Sequence, residues 1–553
     1  MAPGVIAQTN VLPRNGESPS LEPLPDLQPA PPLPPPQDLL PDFTPAPIPE
    51  TPLPGDGLAV VIQRFEVVDS TVFSEADFAN ITANYLDRPI TFEEVLNVRD
   101  QITRLYVDAG YLTSGAIVPP QTLEDGVVQI QVIEGSVEDI IVEGTTRVRP
   151  SYISSRLGLG AQTPLQVDRL LEQLQLLQIS PLVDRISADL QAGTGPGMNL
   201  LVVSVVEADS FNLAYSLDNN RSPSVGSIRN RIDLNELNLI GFGDALRLGY
   251  AITSGSQELS LNYTLPVSPR NTTMTAYFSA SNSNVIEAPF DVLSASSTAY
   301  VGELTLRHPL IQTPTESVAL GLIGSHQQTQ TFLGIDDIGG FPLSPGANDE
   351  GITQVTALRF FQEWTQRSPT HVLALRSQVN LGLGALGATV NGNADIPDSR
   401  YLSWLGQGQW VRLLAQDTPL ILRGSAQLTP DPLLSVERYG LGGQATVRGY
   451  RQDALLTDNG AALSLETRFP LWRHPDRNAL LQIAPFIDSG VGWNSREINP
   501  NPNILLGVGT GLLFQRNDAS LRLDWGIPLV SRPGEKNTLQ EQGLYFTLNV
   551  PFF

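Results

Sequence analysis

The sequence predicts a mainly β protein: a transmembrane β-barrel of about 16 strands, preceded by two small α+β units of β-α-α-β-β order. Three observations carry this prediction. Residues 209–553 alternate apolar and polar side chains almost without interruption. Residues 58–208 run twice through the same strand–helix–helix–strand–strand pattern. No stretch of about 18 consecutive apolar residues occurs, which excludes a spanning helix but not a closed barrel.

Composition narrows the function classes. The 553 residues carry a net charge of -24, with 41% apolar and 16% charged residues, so a sizeable core is available. There is no cysteine, which excludes disulfide scaffolds, cysteine zinc sites, iron–sulfur clusters and thiol nucleophiles. Lys536 is the only lysine and stands in Gly534-Glu535-Lys536-Asn537, so there is no Walker A loop and no candidate for Schiff-base chemistry. An acidic chain without a basic cluster is a poor nucleic-acid binder. His308, His326, His371 and His474 are scattered, with no i, i+4 pair to hold a metal. Gly382-Leu383-Gly384-Ala385-Leu386-Gly387 fits G-x-G-x-x-G, but no βαβ unit follows. The chain is read as a non-enzyme with no catalytic residues, no metal and no cofactor.

Residues 1–57 form the first segment. Val5-Ile6-Ala7 before Gln8 resembles a cleavage site, yet no basic or long apolar stretch precedes it. An ordinary start and a truncated signal peptide both remain open. Residues 13–54 hold 16 prolines with interspersed acids. Proline fixes φ and removes donors, so the expectation is a disordered or polyproline-II spacer that forms neither helix nor sheet.

Residues 58–135 form the first small unit. Ala59-Val60-Val61-Ile62 and Phe65-Glu66-Val67-Val68 read as a strand, and Ser74 starts a capped helix. Thr91-Phe92-Glu93-Glu94 is a capping box opening a second helix with Val95, Val98, Ile102 and Tyr106 on one face, ended by Gly110. Two strands follow, at 115–118 and 126–133. Residues 136–208 repeat the order, with helices over 149–157 and 165–177. Gly110-Tyr111-Leu112, Pro119-Pro120-Gln121, Asp125-Gly126 and Val132-Ile133-Glu134-Gly135 resemble the first polypeptide-transport-associated (POTRA) domain of two-partner secretion transporters. The second unit resembles its companion domain. In that family an extended, unfolded substrate is captured at a sheet edge beside the second helix. The resemblance nominates Val98, Ile102, Tyr106, Ile117 and Val118 as substrate-binding, with plain core as the alternative for each.

In the long C-terminal half, Leu463, Leu465 and Phe469 interleave with Ser464, Glu466 and Arg468. Leu521, Leu523, Trp525 and Ile527 interleave with Ser520, Arg522 and Asp524. Periodicity alone fits a soluble sandwich as well as an inverted membrane barrel. Charges on the polar face (Glu303, Arg307, Arg376, Glu466, Arg468) suit a wet lumen, and Tyr401, Trp404 and Trp410 suit interfacial girdles. The chain ends in a strand at Phe552-Phe553, although the apolar parity falls on Phe552. The longest connections are read near 328–351, 384–399 and 428–459.

The 428–459 loop is too long for a passive hairpin. It contains Val447, Arg448, Gly449 and Tyr450, and further on stand Phe486, Asp488 and Gly490 of Phe486-Ile487-Asp488-Ser489-Gly490. Both stretches resemble motifs of the outer-membrane assembly and two-partner secretion superfamily. There the loop folds into the lumen and its arginine pairs with the aspartate of the wall motif. Parity agrees, since Ile483, Ile487 and Val491 would face lipid and Phe486, Asp488 and Gly490 the lumen.

Together these resemblances identify a haemolysin-activator type transporter over residues 58–553. They imply a monomeric outer-membrane pore in contact with lipid, with periplasmic POTRA domains at 58–135 and 136–208. Its partner would be one secreted, β-helical, haemagglutinin- or haemolysin-like exoprotein, moved without ATP. The family often plugs its pore with an N-terminal helix, which the proline-rich segment replaces here. An insertase that assembles other barrels and a passive porin are the competing readings.

Overall fold

The structure is a computed structural model that describes residues 35–40, 59–123, 125–288, 290–335, 338–532 and 537–552. The cleavage-site reading at 5–8, most of the proline-rich segment, Lys536 and terminal Phe553 lie outside the described residues. Two compact units result: one holds the two small domains and the other holds the barrel.

One part of the proline-rich segment departs from expectation. Pro36–Leu39 forms a single helical turn, closed by the Leu40 N–H donating to the Pro36 carbonyl at 2.8 Å. Pro36 sits in the first turn, where a missing N–H costs nothing and a fixed φ is already helical. Leu39 is buried.

The first small domain comprises β1 (Arg64–Val68), α1 (Glu75–Thr82), α2 (Phe92–Asp108), β2 (Gly115–Ile117) and β3 (Val127–Ile133). Val60–Val61, expected to continue into β1, pairs instead with Pro89–Ile90 as a separate ribbon. The capping box at Thr91 forms as expected: the Thr91 N–H donates to Glu94 Oε2 at 2.9 Å, and the Glu94 N–H donates to Thr91 Oγ1 at 3.3 Å. The second domain comprises β4 (Ser136–Glu143), α3 (Pro150–Leu157), α4 (Val167–Gln178), β5 (Val183–Ala192) and β6 (Met198–Glu207). The two sheets share one topology. The last strand is central, the first strand runs parallel to it, and the middle strand runs antiparallel on its other side.

The duplication extends to a side-chain device. Glu134, after β3, accepts from the Thr71 N–H at 2.7 Å and the Thr71 hydroxyl at 2.6 Å, tying down the loop before α1. Glu207, at the end of β6, accepts likewise from the Thr146 N–H at 2.7 Å and its hydroxyl at 2.9 Å, then from the amides of Arg147 and Val148. Burial alone would raise the Glu207 carboxyl, but the Val148, Thr146 and Arg147 amides hold it below the usual range. A lowered folded-state value stabilises above the unfolded value and is lost as pH falls through the folded one. Glu207→Gln is therefore expected to remove this acid sensitivity. It should also speed exchange of the 146–148 amides about tenfold at neutral pH, as hydrogen exchange read by mass spectrometry would show.

The remaining chain closes into a barrel of sixteen strands. They are β7 (Phe211–Asp218), β8 (Arg229–Leu237), β9 (Ala245–Ile252), β10 (Ser256–Pro266), β11 (Thr273–Asn284), β12 (Ser296–Gln312), β13 (Glu316–Leu333) and β14 (Ile352–Arg367). They continue with β15 (His371–Leu383), β16 (Leu402–Ala415), β17 (Thr418–Leu428), β18 (Asn459–Thr467, continued by Phe469–His474), β19 (Ala479–Trp493), β20 (Ile504–Arg516), β21 (Ala519–Pro528) and β22 (Leu544–Pro551). Neighbours pair antiparallel, and the ring closes between β22 and β7, with Thr547 opposite Asp218 and Pro551 opposite Ala214. Every strand is paired on both sides, so no edge remains.

Exposure decides between sandwich and membrane barrel. Leu463 and Leu465 are 51% and 40% exposed, whereas Ser464 and Glu466 between them are 9% and 1% exposed. The apolar face points outward and the polar face inward, which is the inversion a membrane barrel requires. Trp404 also faces outward, whereas Tyr401, expected in the same girdle, is buried against Val355, Ala357 and Leu434. Residues 328–333 are strand, not loop as expected, because β13 runs on to Leu333. Its Gln327-Gln328-Thr329-Gln330-Thr331 run is polar on both faces and shows no alternation.

Candidate functional site

Between β17 and β18 the loop folds into the barrel lumen. A short turn at Ser435–Glu437 leads into a ribbon in which Tyr439–Leu441 pairs antiparallel with Leu455–Thr457. Tyr439, Leu441, Val447, Tyr450 and Leu455 pack with the wall residues Leu405 of β16 and Leu505 of β20. Burial of such side chains contributes roughly 1.5–3 kcal/mol each, so the loop is held as core. The ribbon places 446–451 at its tip.

Arg448, at 2% exposure, anchors that tip. Its Nε donates to Asp488 Oδ2 at 2.7 Å and its Nη2 to Asp488 Oδ1 at 2.9 Å, a two-pronged pair with the wall aspartate of β19. The Arg448 backbone N–H adds a third bond to Asp488 Oδ2 at 3.0 Å. Nη1 donates to Glu466 Oε2 of β18 at 2.7 Å, and Asp524 of β21 lies 3.6 Å away. The guanidinium stacks over the Phe486 ring, 3.3 Å from its centroid. A guanidinium offers this planar fork and ring stacking, and an ammonium does not.

The carboxylates are shared. Arg468 donates to Glu466 at 2.8 Å, and Arg522 donates to Glu466 at 2.6 Å and to Asp524 at 2.6 Å. Arg448, Arg468 and Arg522 thus face Glu466, Asp488 and Asp524, three charges of each sign. A desolvated cluster of this kind holds only while its members stay paired. Each of these carboxylates is engaged by arginine, and among the described residues no group of acidic or histidine side chains is placed to hold a metal.

Shape reinforces charge. Gly449 has φ +103°, a conformation side chains rarely adopt. A Cβ on Gly526 of β21 would sit 2.6 Å from the Gly449 nitrogen, and one on Gly490 would sit 2.9 Å from Leu441 and Val447. Glycines on the inner wall therefore form the slot that admits the tip. Tyr545 of β22 closes it: its hydroxyl donates to the Tyr450 carbonyl at 2.6 Å and accepts from the Gly449 N–H at 2.8 Å. The Tyr450 hydroxyl lies 2.9 Å from the Leu506 carbonyl and 3.0 Å from that of Val530.

All seven residues of the two predicted motifs thus meet at one place. Glu466, Arg468, Arg522, Asp524 and Tyr545 belong to the same site and were not assigned to it from sequence. Alternation marks them as lumen-facing, but the height of each on its strand depends on the barrel's stagger. The nominated substrate residues come out differently. Val98, Ile102 and Tyr106 are fully buried and Val118 nearly so, in the core of the first domain. An apolar helical stripe reads alike as core or groove, and here it is core. Burial pushes the Tyr106 phenol up to about 12, so it stays protonated and donates to Glu134 at 3.1 Å. Ile117 alone among them is partly exposed, on edge strand β2.

Comparison with known proteins agrees with this architecture. Residues 60–135 match the POTRA domain of ShlB type. The chain is 22% identical over 503 residues to the outer membrane transporter CdiB of Escherichia coli, covering 88% of this chain and 82% of that one. It is 23% identical over 454 residues to the heme/hemopexin transporter protein HuxB of Haemophilus influenzae, covering 79% and 78%. The solved structure of CdiB from Escherichia coli superposes with a TM-score of 0.67 at 20% identity, covering 91% of this chain and 93% of that one. BamA from Haemophilus ducreyi shares the fold with a TM-score of 0.54 at 14% identity, covering 89% and 100%. Residues 197–514 match the family described as haemolysin secretion/activation protein ShlB/FhaC/HecB, and the chain is a member of that family of outer-membrane secretion transporters.

Proposed function

We propose that this chain exports one exoprotein, in extended form, through its barrel lumen to the cell surface. In this reading the Arg448–Asp488 pair fixes the resident loop, and Val447, Gly449, Tyr450, Phe486 and Gly490 shape its seat. The observation that carries the proposal is the charge-balanced anchoring of a 30-residue class loop inside a sixteen-stranded lumen (about 30 residues is far beyond a passive hairpin). A passive porin has no need of such an anchor or of two recruiting domains.

Recruitment falls to the edge of the first domain. Strand β2 is paired on one side only, and an incoming strand can add to its free side beside Ile117. The Ala116 N–H donates to Thr103 Oγ1 at 3.0 Å, so the added strand takes over the position of that hydroxyl. A β-helical exoprotein suits a pore without a nucleotide site, because stacking of successive rungs outside the cell draws the chain outward. The transporter acts as a monomer, in which one chain closes the whole ring with its own sixteen strands.

Deletion of the gene followed by protein mass spectrometry of medium and outer membrane tests this. The expected result is loss of one large secreted or surface protein with other barrels at normal abundance. A general loss of outer-membrane barrels would instead identify an insertase.

A further inference from the structure

The loop carries a second buried ion pair, made to a different strand of the wall from the first. Glu437, 2% exposed, accepts from Arg359 of β14 through both oxygens, at 2.8 and 3.1 Å. Arg359, 1% exposed, also donates to Ser325 of β13 at 3.2 Å. Around it stand Arg307 of β12 and Arg376 of β15, which both donate to Glu363 of β14 at 2.9 and 3.2 Å. Glu303 of β12 attracts Arg359 and Arg376.

Without the loop, each cluster carries an unbalanced charge. The cluster around Arg359 sets Arg307, Arg359 and Arg376 against Glu303 and Glu363, an excess of one positive charge. The cluster around Glu466 sets Glu466, Asp488 and Asp524 against Arg468 and Arg522, an excess of one negative charge. The loop supplies the missing partner to each, Glu437 to the first and Arg448 to the second. It pairs with two clusters of opposite charge on different strands of the wall.

The two anchors differ in strength. Arg448 bonds through its backbone and all its guanidinium nitrogens, and Tyr545 and the glycine slot hold the tip around it. The Glu437 carboxylate bonds Arg359 through two nitrogens, and its carbonyl accepts from Gln427 at 2.9 Å. Arg438, Tyr439 and Gly440, next along the chain, line an open lumenal cavity of about 790 Å³ together with Gln407 and Arg423. Movement of the Glu437 foot away from β14 uncovers Arg359 on that wall while the Arg448 anchor stays in place.

We infer that the Glu437–Arg359 pair is the latch of this pore: it holds the loop foot against β14, and its release opens the path beside that strand. The inference rests on reading the loop as the resident element of an export pore, but its test needs no exoprotein. The purified full-length protein is placed in planar bilayers in potassium chloride, and current and reversal potential are recorded under a salt gradient.

Glu437→Gln should raise the open-to-closed ratio about tenfold, as loss of one charged hydrogen-bonded pair implies. It should also shift selectivity toward chloride, because Arg359 is left uncompensated. Arg359→Gln should open the pore equally but shift selectivity toward potassium. Glu437→Arg combined with Arg359→Glu should restore the closed state. Heat-modifiable gel mobility identifies folded barrels, and if Glu437→Gln does not fold, Arg359→Gln carries the test with its opposite selectivity. Wild-type currents and reversal potential in the folded single variants would overturn the inference. Because only potassium chloride is the probe, such a result leaves the export reading standing. Failure of the secretion experiment would in turn leave these currents unaffected.

Discussion

Arg448→Ala is expected to abolish export while leaving a folded barrel. Removing the guanidinium strands Asp488 and Glu466 in a buried site, where breaking one partner of such a cluster costs about 3–5 kcal/mol. The antiparallel ladder of the walls does not depend on the loop, so the barrel keeps its heat-modifiable mobility. The loop tip loses its deepest anchor. Arg448→Lys is expected to rescue poorly, because an ammonium cannot bridge both Asp488 oxygens and stack on Phe486. Secretion of the partner, measured beside barrel abundance, checks both statements. Unimpaired secretion by Arg448→Ala and Asp488→Ala would remove the anchor from the account.

Gly526→Leu is expected to have a comparable effect without touching any charge. A Cβ at that position meets the backbone of the loop tip, 2.6 Å from the Gly449 nitrogen and 2.8 Å from the Arg448 carbonyl carbon. Backbone cannot swing aside as a flexible side chain does, so overpacking of roughly 1–3 kcal/mol or more falls on the loop. The expected outcome is a displaced tip. Externally added protease should then cleave within 444–452 in intact cells, where the wild-type segment is protected. Continued protection would show that the slot tolerates a side chain and that the glycines are incidental.

The contrast between these two predictions reflects what the sequence made legible. The barrel could be read from residues such as Leu463, Ser464, Leu465 and Glu466, because a strand in a wall must alternate, and exposure then settled which face meets lipid. Arg448 and Asp488 could be read because they sit in contiguous motifs. The rest of the cluster could not, because Glu466, Arg522 and Asp524 are single lumenal charges on separate strands whose relative heights only the closed ring determines. Gly526 carries no signal in a chain with 47 glycines. In the first domain Val98, Ile102 and Tyr106 form a clean apolar stripe that fits a groove or plain core alike, and in the structure it is core. At Pro36–Leu39, proline density suggested a structureless spacer, but one proline in a first turn starts a helix instead of blocking it.

Central to the proposed function is an extended polypeptide passing through the lumen beside the anchored loop. Site-specific photo-crosslinking during secretion tests this most directly. A photoreactive residue at Gln407 or Arg423, which line the lumenal cavity, should capture the exoprotein. The same probe at outward-facing Leu465, 40% exposed toward lipid, should not. Crosslinks from Leu465 with none from Gln407 or Arg423 would contradict passage through the lumen.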